Sequence, residues 1–445
     1  MRLFRSISFR LAVAWRNGLW MLPALIVAFG VVLAALLVFI DPDMTGLQAF
    51  APRVFTVSAD GARGVLTAIA TSMLSVAGLV FSITITTLAL TSQQFTSRVL
   101  RTFVRDRGNQ VVLGVFLGVF AYCLVVLRAV RSPYSGAGYV PELALLVGIG
   151  LAFVGVGFLI YFIDHVARSI QASAIISRVA AETMRVLRAG GQPPEEPAPH
   201  AVRTERDAAS SVLDAAGEGY VGEIDALSLG KLAAERGWRI RMLVTVGHFV
   251  VAGDDLLCVS SDDGEPPAIG EHDAATLRKA ISQGPTGEIE ADPGFGIRQL
   301  VDIALKALSP GINDVTTALN CVDYLGAVLL VASEHASPYV IWSDDHGEAR
   351  VVVLTRGFPD LLREALDQIR ENGAAQFVVL LRLLGVLSRL AEHTHDAARR
   401  EHLRAHVGKI EEAARRRLSA PAEADLVGSR AAELLVRLSS AVTGA

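Results

Sequence analysis

The sequence predicts an α-helical membrane domain of four transmembrane helices, joined to a cytoplasmic α+β region with a small β module and a helical tail. Three observations carry that reading. Charge-free apolar segments crowd the first 163 residues, arginines cluster beside them, and beyond residue 214 short β patterns alternate with helical periodicity. The 445 residues are 52% hydrophobic with a mean hydropathy of +0.43, and the apolar excess lies before residue 164. This length leaves room for two or three domains.

The apolar segments are Gly18–Ile40, the stretch between Arg63 and Arg98, Val111–Leu127 and Leu143–Ile163. The first and last are long enough for a hydrocarbon layer of about 30 Å, and Val111–Leu127 sits at the lower limit. Between Arg63 and Arg98 lie 34 consecutive uncharged residues. As one helix they would run roughly 50 Å, so this segment tilts or projects beyond the bilayer. The first segment is too long for the apolar part of a signal peptide, and no small-residue cleavage site follows it before Asp41-Pro42, which marks it as a retained anchor.

Arginine placement orients the spans. Arg2, Arg5, Arg10 and Arg16 precede the first; Arg98, Arg101, Arg105 and Arg107 follow the second; Arg168, Arg178, Arg185 and Arg188 follow the fourth. The segment 41–62 instead carries Asp41, Asp43 and Asp60 against Arg53. The positive-inside rule then puts both termini in the cytoplasm, with the weakly basic segment near Arg128–Glu142 running against the trend.

One face of the second span is lined by Thr67, Thr71, Ser75, Gly78, Ser82, Thr86, Ala89 and Gln93, at steps of three or four. At about 100° per residue they share an arc of roughly 100°. Such a face turns to other helices or to water, not to lipid. It therefore reads either as a packing surface or as the lining of a path. Gly114 and Gly118 on the third span, with Gly148, Ala152 and Gly155 on the fourth, offer matching small faces for packing. Thr84, Thr87 and Thr91 add polarity opposite the stripe, so protein or water surrounds this helix there, which implies a homo-oligomer in membrane lipid.

The domain plan places the membrane domain at 1–188, with the last span continuing into the cytoplasm, a Pro- and Glu-rich linker at 189–213, an α+β domain at 214–355 and a helical region at 356–445. Strand patterns occupy 220–224, 239–246, 249–251 and 256–259, and helical patterns occupy 273–283, 296–308 and 314–333. A hairpin follows at 339–354, and then a helical tail broken at Asn372-Gly373, near His395 and at Ala420-Pro421. The run Val246–Val259 resembles the hairpin of barrel-sandwich modules of the biotinyl-lipoyl type. No lysine lies between Lys231 and Lys279, so the resemblance implies no carried cofactor.

Polar patterning is densest at Asp292-Pro-Gly-Phe-Gly-Ile-Arg-Gln-Leu-Val-Asp302 and at Ser309-Pro-Gly-Ile-Asn-Asp-Val-Thr-Thr-Ala-Leu-Asn-Cys-Val-Asp-Tyr324. With the hydroxyl-rich Ser82–Arg98 stretch and Phe358–Leu387, this block resembles a bacterial family of four-pass inner-membrane proteins catalogued as a domain of unknown function. The resemblance covers roughly residues 10 to 400 and implies the architecture and an inner-membrane location, but no activity. From the residues themselves, Arg298 and Asp302 can pair along a helix face, and Asp314 with Thr317 can cap the next helix. With Asn313, Asn320 and Asp323 they form a candidate ligand pocket, or a capped helix–turn–helix.

The function classes narrow accordingly. A net charge of −4 predicts no nucleic-acid partner. Cys123, Cys258 and Cys321 have no metal or disulfide spacing, and His393 and His395 are too close in sequence to share a helix face, so no metal and no cofactor are expected. No short catalytic motif is present. Three readings compete: an oligomeric channel or transporter passing an ion or small solute along the second span, a membrane-anchored sensor or scaffold binding through its cytoplasmic part, and a membrane enzyme.

Overall fold

The computed structural model describes residues 20–40, 58–94, 106–131, 139–169, 171–190, 210–285 and 292–440. The chain divides into two compact units, Met1–Gln171 and Ala172–Ala445. The first holds helices α1 (Met21–Ile40), α2 (Ala59–Gln94), α3 (Arg107–Ala129) and α4 (Glu142–Ser169). Helix α3 outruns the 17-residue apolar segment at both ends, because Asp106 caps it by accepting from the Gly108 N–H at 2.8 Å.

Helix α3 is the centre of this unit and packs on α1, α2 and α4. It buries Val112, Phe116, Val119, Tyr122, Cys123 and Val126. Glycine sets its approach to α1. A Cβ on Gly30 would stand 2.7 Å from the Gly118 carbonyl oxygen, and one on Gly114 would stand 3.0 Å from the Pro23 Cα. The third and fourth helices do not match small face to small face as the sequence led us to expect. Gly114 and Gly118 receive α1, whereas Gly148 and Gly155 on α4 receive Tyr122 and Leu66, and Met73.

The second unit opens with α5 (Ala172–Ala189), which packs on α8 (Pro293–Leu308) and α9 (Val315–His335). Between them lie β1 (Ser210–Asp214), β2 (Gly219–Ile224), α6 (Ala226–Arg236), β3 (Trp238–Met242), β4 (Phe249–Val250), β5 (Asp255–Ser261), α7 (Glu271–Lys279) and β6 (Ile281–Gly284). After α9 come β7 (Tyr339–Ser343), β8 (Ala349–Leu354), α10 (Phe358–Asn372), α11 (Phe377–His393), α12 (Ala397–Arg417) and α13 (Pro421–Ser440). A five-stranded sheet runs β1-β5-β3-β8-β7, and a three-stranded sheet runs β4-β2-β6. All pairings are antiparallel except β3 with β8, where Ile240 faces Val351.

Three local expectations change. The Val246–Val259 run is not a hairpin: β4 pairs with β2, and β5 pairs with β1 and β3 in the other sheet. The helical pattern at 273–283 ends at Lys279, and Ile281–Gly284 is strand, since β2 offers an edge for it. Helix α6 interrupts the strand series, started by Asp225, which accepts from the Ser228 N–H at 3.0 Å, and ended by Gly237 at a φ of +65°. In the tail, the anticipated breaks coincide with the ends of α10, α11 and α12. A buried arginine ties that tail together. Arg400 donates to Thr394 O at 3.1 Å and Arg437 O at 2.7 Å, carbonyls at the C-terminal ends of α11 and α13, where helix dipoles favour a cation.

By length and composition, five helices among the described residues could cross a membrane: α1 to α4 and α9. Helix α9 is enclosed by α5, α8, α10 and α11 and buries Ala318, Cys321, Val322, Leu325, Val328 and Leu329.

The α5–α8 contact depends on a missing side chain. A Cβ on Gly296 would stand 1.9 Å from Thr183 Oγ1 and 3.0 Å from Thr183 Cβ. We expect Gly296→Ala to destabilise the second unit by about 1–3 kcal/mol through overpacking. Adding Thr183→Ala, which removes the clashing hydroxyl, should recover part of that loss. Thermal unfolding of the single and double variants checks this, and strictly additive losses would contradict it.

Candidate functional site

Two regions carry polar chemistry. The first is α2. Its buried face is apolar: Ala62, Leu66, Ala70, Met73, Ala77 and Val80 pack inside the unit. Thr67, Thr71, Ser75, Gly78, Ser82, Thr86 and Ala89 all lie on the opposite, exposed face, and the Gln93 and Thr91 side chains lie outside the described residues. Among the described residues nothing comes within 4 Å of a Cβ placed on Gly78. Exposed Leu74 and Phe81 flank the stripe on one side, and Val65 and Leu79 on the other. Among the described residues the stripe therefore takes no part in packing this unit. Its hydroxyls are partly self-satisfied, with Ser75 donating to Thr71 O at 2.9 Å and Thr86 to Ser82 O at 3.0 Å. What faces outward is a row of oxygen lone pairs with no formal charge. Thr84 and Thr87, the polar residues predicted opposite the stripe, are half-buried and buried.

In the second unit the candidate pocket residues separate. Asp314 caps α9, accepting from the Thr317 N–H at 3.0 Å and the Thr317 hydroxyl at 2.6 Å, and these bonds hold its carboxyl below the usual range. Asn313 enters the cap with a φ of +50°. Asp323 reaches across to α11 and accepts from Arg382 at 3.0 Å. Arg298 pairs with Glu364 on α10. Asp302 and Asn320 are half-buried on their helices. One group thus turns toward α10 and another toward α11.

Around Arg298 the fold builds a site the sequence did not disclose. Asp292 is the N-cap of α8, accepting from the Gly294 N–H at 2.8 Å, with Pro293 setting the first turn. Arg356 leaves the end of β8 and donates from Nη1 to Glu364 at 2.8 Å, while its Nη2 stands 3.5 Å from Asp292 Oδ2. Asp292, Arg356, Glu364 and Arg298 thereby form one charge chain. Glycines admit it. A Cβ on Gly294 would lie 2.7 Å from Arg356 Nη1, and one on Gly247, whose φ is +82°, would lie 2.4 Å from Asp292 Oδ2. Burial pushes the Asp292 carboxyl up, against the pull of Arg356 and the Gly294 N–H. These side chains offer charge pairing and hydrogen-bond donors to a ligand; they do not make a nucleophile–base pair.

Two clefts meet at Arg356. One, of about 440 Å³, is lined by Arg298, Arg356, Arg363, Glu364 and Asp367 among others. The other, of about 460 Å³, has mostly apolar walls. Beside the first, Asp367 holds Lys409 at 3.2 Å, and buried His406 is held toward its neutral form by desolvation. The sequence signal for this site existed: an N-cap Asp-Pro-Gly opening one helix, and Arg356 in the short link between a strand and a helix. Nothing in their spacing says that the two meet.

Five helices long and apolar enough to cross a membrane, with a β-containing region and a helical tail, mark a membrane protein. The model of the family described as "Predicted membrane protein (DUF2254)" matches residues 16–389, and the chain belongs to that family. It is 32% identical over 427 residues to uncharacterised proteins of Mycobacterium tuberculosis and Mycobacterium bovis, covering 95% of this chain and 81% of each relative. No solved structure matches the chain.

Asp292 yields a pH prediction. A carboxyl whose folded value is raised stabilises the fold below its unfolded value, about 4, and loses that contribution as pH rises through the folded value. Asp292→Asn keeps an N-cap acceptor without the charge. The wild type is therefore expected to lose stability relative to this variant as the pH is raised from 4 to 8. Melting curves at the two ends measure it, and a constant gap would show that no proton is shifted there.

Proposed function

We propose that this protein is an oligomeric channel or transport protein of the bacterial inner membrane, with α2 lining the path and the second unit acting as a regulatory cytoplasmic domain. One observation carries this reading: α2 uses its apolar face inside its own unit and leaves its hydroxyl face outward. Lipid offers such a face no hydrogen-bonding partner, whereas copies of itself or water do. Uncharged hydroxyl oxygens repeated along a helix would make weak, successive contacts with an ion or small solute, as conduction requires. The absence of any ionisable residue between Gly64 and Ser97 speaks against a proton relay. Four spans, α1 to α4, with both termini cytoplasmic follow from the arginine pattern. Enclosure by four helices, together with the Asp323–Arg382 pair, supports reading α9 as a core helix of the second unit and not a fifth span.

A second reading, a membrane-anchored sensor or scaffold that binds through the second unit, draws on the two clefts at Arg356.

Ion flux in proteoliposomes separates the two. The full-length protein is expected to pass ions, and Ser82→Leu, at an exposed position, to cut flux about tenfold or more while leaving oligomer size unchanged. Equal flux from both proteins would remove α2 from the path, and no flux from either would favour the sensor.

A further inference from the structure

A sheet edge presents unpaired N–H and C=O groups to any other strand, so proteins cover or blunt their edges. The two sheets of the second unit end in β1, β7, β4 and β6. At β1, Arg278 donates to the Asp214 carbonyl at 3.0 Å and the Ser211 hydroxyl to the Pro267 carbonyl at 2.7 Å, so other segments lie along it. Strand β4 is two residues long, and β6 offers Ile281 as its one apolar side chain. Strand β7, Tyr-Val-Ile-Trp-Ser, has no charge and no proline, and the extra residue in its ladder is Arg350 on β8. Among the described residues no strand stands beyond it.

The ladder fixes what β7 shows on its open side. The Thr355 N–H donates to the Pro338 carbonyl at 2.9 Å, so by alternation Val340 and Trp342 exchange bonds with Val353 and Val351 on β8. Tyr339, Ile341 and Ser343 then direct their N–H and C=O groups away from β8. The Ser337 hydroxyl donates to the Tyr339 carbonyl at 2.6 Å. No bond to the outward groups of Ile341 and Ser343 is found among the described residues. The Trp342 ring lies against Gly230 of α6, which puts Val340 on the same face of the sheet. Val340 is 46% exposed there.

We propose that β7 pairs antiparallel with β7 of a second copy of this chain, about a two-fold axis at Ile341. The strand is its own complement in this register. Ile341 faces Ile341 of the second copy and exchanges two backbone bonds with it, and Tyr339 faces Ser343 on either side. On the α6 face Val340 of each copy meets Trp342 of the other, an aliphatic–aromatic cross-strand pair that covers the exposed valine. Neither strand carries a charge to repel the other. A five-residue edge is smaller than an interface that holds in solution. Both copies are anchored in one membrane, however, which raises their effective concentration. The pairing goes beyond the conduction reading and is independent of it, since cross-linking at β7 and flux along α2 are measured separately.

Cysteine cross-linking of the full-length protein in proteoliposomes tests it. Cys123, Cys258 and Cys321 are buried, which favours reaction at an introduced thiol. Ile341→Cys would place the two Cα atoms about 5.5 Å apart, within disulfide range, and Ser343→Cys about 14 Å apart, beyond it. Mild oxidation is expected to give covalent dimer from Ile341→Cys, about fivefold or more above the yield from Ser343→Cys. Adding Val340→Asp, at an exposed position, is expected to cut the Ile341→Cys yield about fivefold or more by setting a charge against Trp342. Melting temperatures show whether each variant folds. If Val340→Asp does not, the contrast between the two cysteines decides. Should Ile341→Cys not fold, dipolar broadening between spin labels on Ser343→Cys decides, and its absence overturns the proposal. No covalent dimer from folded Ile341→Cys also overturns it. A thiol then open to maleimide would show an edge left to water, and a closed one another segment of the same chain lying over it. Equal yields from the two cysteines, or a yield unmoved by folded Val340→Asp, overturn it as well.

Discussion

The first unit rests on a backbone-to-backbone contact between α1 and α3. Gly30, Gly114 and Gly118 have no Cβ to hold the helices apart, so carbonyl and Cα atoms of one lie against the other. In hydrocarbon there is no hydrophobic gain from hiding leucine, and close dispersion contact is what drives helices together. With α1 seated this way, α3 still has surface for α2 and α4, and its Phe116, Tyr122 and Val126 fill the space between them. Tyr122 could be a liability there. Its hydroxyl donates to the Ala144 carbonyl at 2.7 Å, which makes it a tie to α4.

The orientation of α2 follows from that packing. Its apolar arc meets α3 and α4 and its hydroxyl arc is left outside. The polar stripe is therefore not the glue of this unit. A long amphipathic surface left free has meaning only in what it meets next, which is why the proposed path sits there and not among α1, α3 and α4.

The second unit shows the same economy of side chains around charge. Gly247 and Gly294 open the space in which Arg356 lies between Asp292 and Glu364, and Gly296 brings α8 against α5. The pairs with buried Asp292 and half-buried Glu364 add little net stability, because desolvation offsets much of the Coulomb attraction. The contrast with Arg400 is instructive. That guanidinium is buried more deeply and meets only carbonyls that the ends of α11 and α13 leave unsatisfied, a purely structural arrangement.

The long apolar helices, the tail helices and the cap at Asp314 were legible in the sequence, because hydrophobic period and capping act within a few residues. The caps at Asp292 and Gly237 obey the same local rules but emerged only with the structure. The family was legible too, from Asp292–Asp302 and Ser309–Tyr324. Pairing was not. Whether β4 joins β2 or β5, whether Arg298 turns to Asp302 or to Glu364, and that Arg356 meets Asp292 64 residues away in sequence, all depend on which surfaces the packed core leaves available. The sequence by itself determined that α2 has a hydroxyl face; only the tertiary structure decided that this face points outward, because α3 and α4 had already taken the other side.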